Sequence, residues 1–115
     1  MYMPFINCKI TCKMKEEKEK NVKKELGNAI ELIAGKKQEY LMIGFEENYK
    51  LYYGGKKVDD GAFVEVKLMG NPSKEEYKKV TYEITDILNK ELAIPKTNIY
   101  VVYHVIETWG WNGEI

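Results

Sequence analysis

The chain has 115 residues, of which 44% are apolar and 31% charged, a size and composition typical of one globular domain spanning residues 1–115. Its eighteen lysines balance its eighteen acidic residues, so no net positive field favours binding to nucleic acid or to an anionic membrane. Because the chain contains no arginine, any bound anion would be held by lysine charges and backbone N–H groups.

The cysteine content and the hydropathy of the chain argue against several classes of protein. The two cysteines, Cys8 and Cys12, are too few for a disulfide scaffold and lack the additional Cys or His partners of a zinc site. No apolar run approaches the roughly 18 residues of a membrane span, and residues 1–5 lack the basic start and the cleavage site of a signal peptide. We therefore expect a cytoplasmic protein without a metal.

The first half of the chain has the pattern of a strand, a helix and a second strand. Apolar residues alternate with more polar ones over residues 5–10, which predicts a strand with one buried face. Over residues 14–34 apolar residues recur at helical spacing, and Gly35 is placed to end this helix. Residues 40–45 predict the second strand, and Gly54-Gly55 marks a turn.

The second half of the chain repeats this order. Residues 62–69 alternate as a strand does, and Ser73 with Glu76 has the spacing of a capping box at the start of a helix. An amphipathic pattern then predicts a helix over residues 77–88. Residues 99–106 predict a last strand that is long and apolar on both faces.

Two strand–helix–strand units of this kind predict one four-stranded sheet. Since a helical crossover between parallel strands is right-handed, two units side by side carry both helices on the same face of the sheet. The opposite face then has no cover, and residues 99–106 contribute apolar side chains to it. Because soluble monomers seldom expose a large apolar surface, we expect an oligomer whose subunits pack sheet face against sheet face.

Six short segments follow one another in an order and spacing that is specific, although no segment is specific alone. They are Met3-Pro4-Phe5-Ile6, Gly35-Lys36 with Tyr40 close behind, Tyr53-Gly54-Gly55, Leu68-Met69-Gly70, Ile99-Tyr100-Val101 and Trp109-Gly110-Trp111-Asn112-Gly113. From residue 3 to 112 the chain resembles the macrophage migration inhibitory factor family, including its D-dopachrome tautomerase branch, within the tautomerase superfamily. The resemblance implies an α+β homotrimer with three sheets around a channel and three active sites between subunits.

The resemblance also implies a chemistry, the keto-enol tautomerisation of a small aromatic 2-oxo acid of the phenylpyruvate or dopachrome type, without a metal or organic cofactor. Pro4 would be the catalytic base, an N-terminal amine kept neutral by burial and a nearby cation. Lys36 would hold the substrate anion and tune the proline, and Met69 with its N–H would form the floor of the site. Tyr100 would cross the subunit boundary as a wall and hydrogen-bond donor, and Trp109 would form the rim.

The start of the chain departs from the family pattern, because Met1-Tyr2-Met3 precede Pro4. A proline nitrogen within a peptide bond has no basic lone pair and cannot act as the base. Activity would then require translation from Met3 followed by removal of that methionine, or trimming by a protease. If neither happens, the chain is an inactive relative.

Other departures affect the expected pocket. Val102 replaces the family asparagine that lies two residues after the strand tyrosine, which removes one polar contact to substrate. The chain ends at Ile115, before the usual aromatic C-terminal residue, which would open the rim. Residues 61–64 replace the family C-x-x-C, so thiol-disulfide activity is not implied.

A second class of function stays open, in which the trimer surface binds a protein receptor as a cytokine does and the pocket is vestigial. Family members leave cells without a leader, so secretion by such a route is compatible with the sequence. An inactive trimer without a partner is a third interpretation. Each candidate side chain also has a structural interpretation: an edge-strand start for Pro4, a solvated helix-end charge for Lys36, core or interface packing for Tyr100, Trp109 and Trp111, and a structural histidine for His104.

Overall fold

Six strands and two helices follow one another in the computed structural model, which describes residues 3–115. Numbered in chain order, they are β1 (Phe5–Ile10), α1 (Glu16–Ile30), β2 (Met42–Glu46), β3 (Tyr52–Tyr53), β4 (Lys56–Lys57), β5 (Ala62–Leu68), α2 (Lys74–Leu92) and β6 (Ile99–Val105). Met1 and Tyr2 lie outside the described residues. Within residues 3–115 neither helix is long and apolar enough to cross a membrane.

Four of the strands form one mixed sheet in the order β2-β1-β5-β6. β1 is parallel to β2 and β5 is parallel to β6, whereas the two central strands, β1 and β5, are antiparallel. Each parallel pair comes from one strand–helix–strand unit, because parallel neighbours need a crossover connection. The predicted α+β fold with two such units is confirmed.

Both helices pack on one face of this sheet, as the sequence predicts. Every second side chain of β1 and β5 is buried, because successive residues of a strand point to opposite faces. These positions meet the apolar stripes of the two helices in a single core. Its fully buried members include Ile6, Cys8, Ile10, Val22, Leu26, Ile30, Ala62, Val64, Val66, Leu68, Val80, Ile84 and Leu88.

The open face of the sheet is mixed in character, which differs from the apolar surface that we expected. Lys9 of β1 pairs with Glu65 of β5 at 3.2 Å, and the ring of His104 in β6 lies 3.9 Å from the same carboxylate. The apolar run of β6 does not all reach this face, because the two-residue period of a strand divides it. Its core-facing members are Ile99, Val101 and Tyr103.

α1 ends earlier than its apolar period predicts. It stops at Ile30, although Ile33 is also buried. Gly35 does not cap the helix but lies at a φ of 81° in a following turn, which the N–H of Lys36 closes on the carbonyl of Ile33 at 3.1 Å. The apolar stripe therefore continues into a turn, and the helix is shorter than the stripe.

Two other local predictions have different outcomes. The capping box of α2 is present, since the N–H of Glu76 donates to Ser73 Oγ at 3.2 Å and the N–H of Ser73 donates to Glu76 Oε1 at 2.8 Å. The strand predicted from residue 40 begins instead at Met42, because Gln38–Tyr40 forms a 3-10 turn before it. Tyr40 is therefore part of the connection to β2.

Candidate functional site

One end of the sheet brings several predicted site residues together. Pro4 is buried just before β1, and its carbonyl accepts a hydrogen bond from the N–H of Met42 at 2.9 Å. Since β1 and β5 are antiparallel, with Phe5 opposite the last but one residue of β5, Pro4 lies beside the end of β5. Met69 follows that end directly. We call this end of the sheet the proline end.

Lys36 is a buried charged residue at the proline end, with 8% of its surface exposed. The turn after α1 directs its side chain to the end of β5, where Nζ donates to the carbonyl oxygen of Met69 at 2.6 Å. Burial lowers the pKa of Lys36 below the ordinary lysine value, because a low-dielectric environment disfavours the charged form. The proline end therefore contains a poorly hydrated cation that an anion would stabilise.

A cavity of about 130 Å³ lies beside Lys36, between the turn that carries this residue and the loop from β5 to α2. Met69 is half-buried and lines it. Gly70 in the same loop has a φ of 106°, a conformation that residues with a Cβ rarely adopt, and a Cβ there would lie 3.6 Å from Lys36 Nζ. Glycine is thus required here by the backbone conformation more than by lack of space.

Glu76 contributes to this region beyond the capping box that the sequence indicates. Its Oε2 accepts a hydrogen bond from the N–H of Ala34 at 2.6 Å, while Oε1 accepts from the N–H of Ser73. These two N–H groups, that of Ala34 first, lower the pKa of Glu76 because they stabilise the carboxylate. The bond to Ala34 joins residues 42 positions apart, so no local spacing signals it.

Tyr100 lies at the other end of the sheet from Pro4. It pairs with Phe63 near the start of β5 and stacks on that ring at 6.4 Å and on the ring of Tyr53 at 6.2 Å. Leu68, at the proline end, is five residues further along β5, or about 17 Å at the rise of an extended strand. One copy of the chain therefore does not bring Tyr100 to Pro4, and a site that contains both would need two copies.

Trp109 lies beyond β6, towards the proline end. The N–H of Ile106 donates to the carbonyl of Leu68 at 2.8 Å, so the chain leaves the sheet beside the end of β5. Trp109 follows three residues later and is half-buried. A small hairpin comes next, in which Trp111 and Glu114 form an antiparallel β-bridge. The side chain of Trp111 is 57% exposed. A place for Trp109 at the rim of a site is compatible with this path of the chain.

The cysteines and acidic residues offer no alternative centre in the described part of the chain. Burial raises the pKa of the Cys8 thiol to about 12, so the thiolate that a nucleophile requires does not form at neutral pH. The pKa of half-buried Cys12 is raised as well, first by burial. Among residues 3–115 no three Cys, His, Asp or Glu side chains are grouped closely enough to hold a metal ion.

A model of the macrophage migration inhibitory factor (MIF) family matches residues 3–115 of the chain. The crystal structure of MIF2 from Leishmania major is similar, with 27% identity and a TM-score of 0.87 over 97% of this chain and 96% of that one. The MIF-like protein of Entamoeba histolytica has 21% identity and a TM-score of 0.81 over 97% of each chain. A fused 4-OT described as an asymmetric trimer has 15% identity and a TM-score of 0.84 over 96% and 94%. No curated protein sequence matches significantly.

Proposed function

Because the chain belongs to the macrophage migration inhibitory factor family, we propose that it is a keto-enol tautomerase of small aromatic 2-oxo acids of the phenylpyruvate or dopachrome type. Pro4 is the general base in this proposal. The observation that supports it most is the buried ammonium of Lys36, which is anchored to the carbonyl of Met69 beside the strand end where Pro4 lies.

The chemistry follows from the position of these groups. Pro4 is buried in the full chain. In the proposed site its free amine stays shielded from water and faces the Lys36 ammonium, and both conditions disfavour the protonated amine and lower its pKa towards neutrality. The neutral amine takes a proton from the carbon next to the carbonyl, and Lys36 stabilises the negative charge that develops on the carbonyl oxygen. The proton then returns to that oxygen and gives the enol, so no cofactor takes part.

The base requires that the chain begin at Pro4. In the 115-residue chain the nitrogen of Pro4 is bonded to the carbonyl of Met3 and cannot accept a proton. The family match begins at residue 3, which supports translation from Met3 and removal of that methionine.

The proposal includes a homotrimer whose sites lie between subunits. Its support is the separation of Pro4 from Tyr100 by about 17 Å along the sheet, together with the trimeric state of the fused 4-OT relative. Tyr100 of one subunit would then face Pro4 of the next, as a wall and hydrogen-bond donor. Light scattering should give about three times the chain mass of 13.4 kDa.

Turnover of phenylpyruvate by two forms of the protein tests this function. The form that begins at Pro4 should convert the keto and enol species, as followed by ultraviolet absorbance, and the form that retains Met1 should not. Pro4→Gly in the shorter form should remove most of the rate while the circular dichroism spectrum stays the same. Lack of turnover of phenylpyruvate and of a dopachrome ester by the shorter form would refute the enzymatic proposal.

The residues before Pro4 favour one alternative, a cytokine-like interaction protein whose proline is blocked and whose trimer surface binds a protein receptor. The intact mass of protein from its natural source distinguishes the two proposals. A mass that begins at Pro4 supports catalysis, and a mass that retains Met1 supports the interaction protein.

A further inference from the structure

Glu76 links the turn that carries Lys36 to the start of α2. Both oxygens of its carboxylate accept backbone hydrogen bonds, Oε1 from the N–H of Ser73 at 2.8 Å and Oε2 from the N–H of Ala34 at 2.6 Å. Ala34 lies inside the turn in which the N–H of Lys36 closes on the carbonyl of Ile33. The carboxylate therefore holds the backbone of this turn two residues before the lysine.

The side chain of Lys36 reaches across to the same loop region that Glu76 anchors. Its Nζ donates to the carbonyl of Met69 at 2.6 Å, and the loop after Met69 runs directly into Ser73, the N-cap of α2. The turn and the loop are thus joined at two points, by Lys36 to Met69 and by Ala34 to Glu76. The cavity of about 130 Å³ lies between these two links.

The capping box alone does not account for a glutamate at this position. A capping box accepts either glutamate or glutamine, because one side-chain oxygen is sufficient for the N-cap N–H. Here two N–H groups point at two oxygens. A glutamine has only one acceptor oxygen, and its NH₂ group is a donor, so it can satisfy one of these N–H groups and not both. The second bond therefore depends on a carboxylate.

We propose that Glu76 is a positioning residue for Lys36, which fixes the turn through the N–H of Ala34 and so sets where the lysine ammonium meets the substrate anion. This inference rests on the proposed function for the identity of the anion. The hydrogen bond between Glu76 and the turn does not depend on that function, so it can be tested by a measurement that does not involve catalysis.

Glu76→Gln is the variant that separates the two roles, since it keeps a capping residue and removes the second acceptor. We expect the KM for phenylpyruvate to rise about three- to tenfold, the scale of one lost hydrogen bond of ordinary net strength. The value of kcat should fall as well, because Lys36 also stabilises the charge that develops on the carbonyl oxygen, but by less than the loss expected for Lys36→Met. Glu76→Asp, which keeps both acceptors on a shorter arm, should restore part of the loss.

Two control variants show whether the effect belongs to the turn. Ser73→Ala removes the capping hydroxyl but keeps the N–H of Ser73 and both oxygens of Glu76, so it should lower the melting temperature and leave KM unchanged. Glu75→Gln changes a neighbouring exposed carboxylate, whose ion pair is with Lys78 at 3.7 Å, and should change neither quantity. If Ser73→Ala raises KM as much as Glu76→Gln does, Glu76 acts only as a cap and the inference is wrong.

Two further measurements test the role of Glu76 without any catalytic activity. They are hydrogen exchange over residues 33–36 and an NMR titration of Lys36. In Glu76→Gln the amides of this turn should exchange at least several-fold faster than in the wild type, and the pKa of Lys36 should move towards its ordinary value as the side chain becomes better hydrated. Unchanged exchange and an unchanged titration would overturn the inference. If the wild type itself lacks tautomerase activity, the proposed function fails and these two measurements decide the inference alone.

Discussion

Lys36 has an unusual environment among the residues at the proline end, because lysine side chains are seldom buried and only 8% of its surface is exposed. Its Nζ bonds to the carbonyl of Met69, yet burial still lowers its pKa. The family pattern pointed to this lysine as a candidate, but one of eighteen lysines has no spacing that predicts burial. The position results from the turn after α1, which Glu76 holds from a distance of 42 residues.

Replacement of Lys36 by methionine removes the charge that is proposed to stabilise the substrate anion and to lower the pKa of Pro4. In the form that begins at Pro4, Lys36→Met should lower kcat/KM for phenylpyruvate by about 100-fold, the usual loss when one group that stabilises a developing oxyanion is removed. Lys37→Met is the matched control, since Lys37 is the next residue and is exposed. A comparable loss in both variants would contradict the assigned role of Lys36.

A comparison of the wild type with Lys36→Met also tests a pH dependence of stability. The pKa of Lys36 is lowered in the folded state, so the folded chain releases this proton before the unfolded chain does. The free energy of unfolding of the wild type should therefore rise relative to Lys36→Met as the pH increases from the lowered pKa to the ordinary value of 10.5. Urea unfolding at several pH values measures the difference, and a difference that falls over this range would contradict the burial of the charge.

At the scale of helices and strands, the capping box of α2 could be predicted from the sequence, whereas the end of α1 and the start of β2 could not be placed accurately. The capping box of α2 follows from a three-residue spacing, and it forms as predicted. The end of α1 was placed too late because Ile33 continues the apolar stripe from within a turn. The start of β2 was placed too early because Gln38–Tyr40 closes a 3-10 turn through backbone hydrogen bonds that no side-chain period reports.

The loop between β5 and α2 gives a prediction at this scale. Gly70→Ala should lower the free energy of unfolding by about 1–2 kcal/mol, since its φ of 106° is unfavourable for a residue with a Cβ. Gly110→Ala is the control, because Gly110 has no such positive φ and its added Cβ would make an ordinary contact of 3.7 Å with the Glu114 carbonyl. Equal effects of the two changes in urea unfolding would show that backbone strain at Gly70 is not the cause.

At the scale of the whole molecule, the sequence predicted the sheet and the side that the helices cover, but not the character of the open face. The apolar residues of β6 are divided between the two faces, and the ion pair of Lys9 with Glu65 lies on the open one. The expectation of an oligomer therefore no longer rests on an apolar open face. It rests on the position of Tyr100, which lies so far from Pro4 that a site containing both would need two copies of the chain. That distance depends on the antiparallel register of β1 and β5, which the sequence does not specify.

A shared site can be tested by mixing two damaged proteins. Pro4→Gly and Tyr100→Ala should each be nearly inactive as pure trimers. If sites combine Pro4 of one subunit with Tyr100 of another, joint unfolding and refolding of equal amounts should restore about one quarter of the wild-type rate, because random trimers pair two intact residues in that share of sites. Activity no higher than the mean of the two parents would contradict a site between subunits.

The most direct test of the central claim is the titration of the Pro4 nitrogen by ¹⁵N NMR in protein that begins at Pro4, with Lys36→Met measured beside it. We predict that the wild-type amine titrates near neutral pH and that its pKa rises when the charge of Lys36 is removed. An amine that titrates in the alkaline range of an ordinary secondary amine, or one that does not respond to Lys36→Met, would contradict the claim.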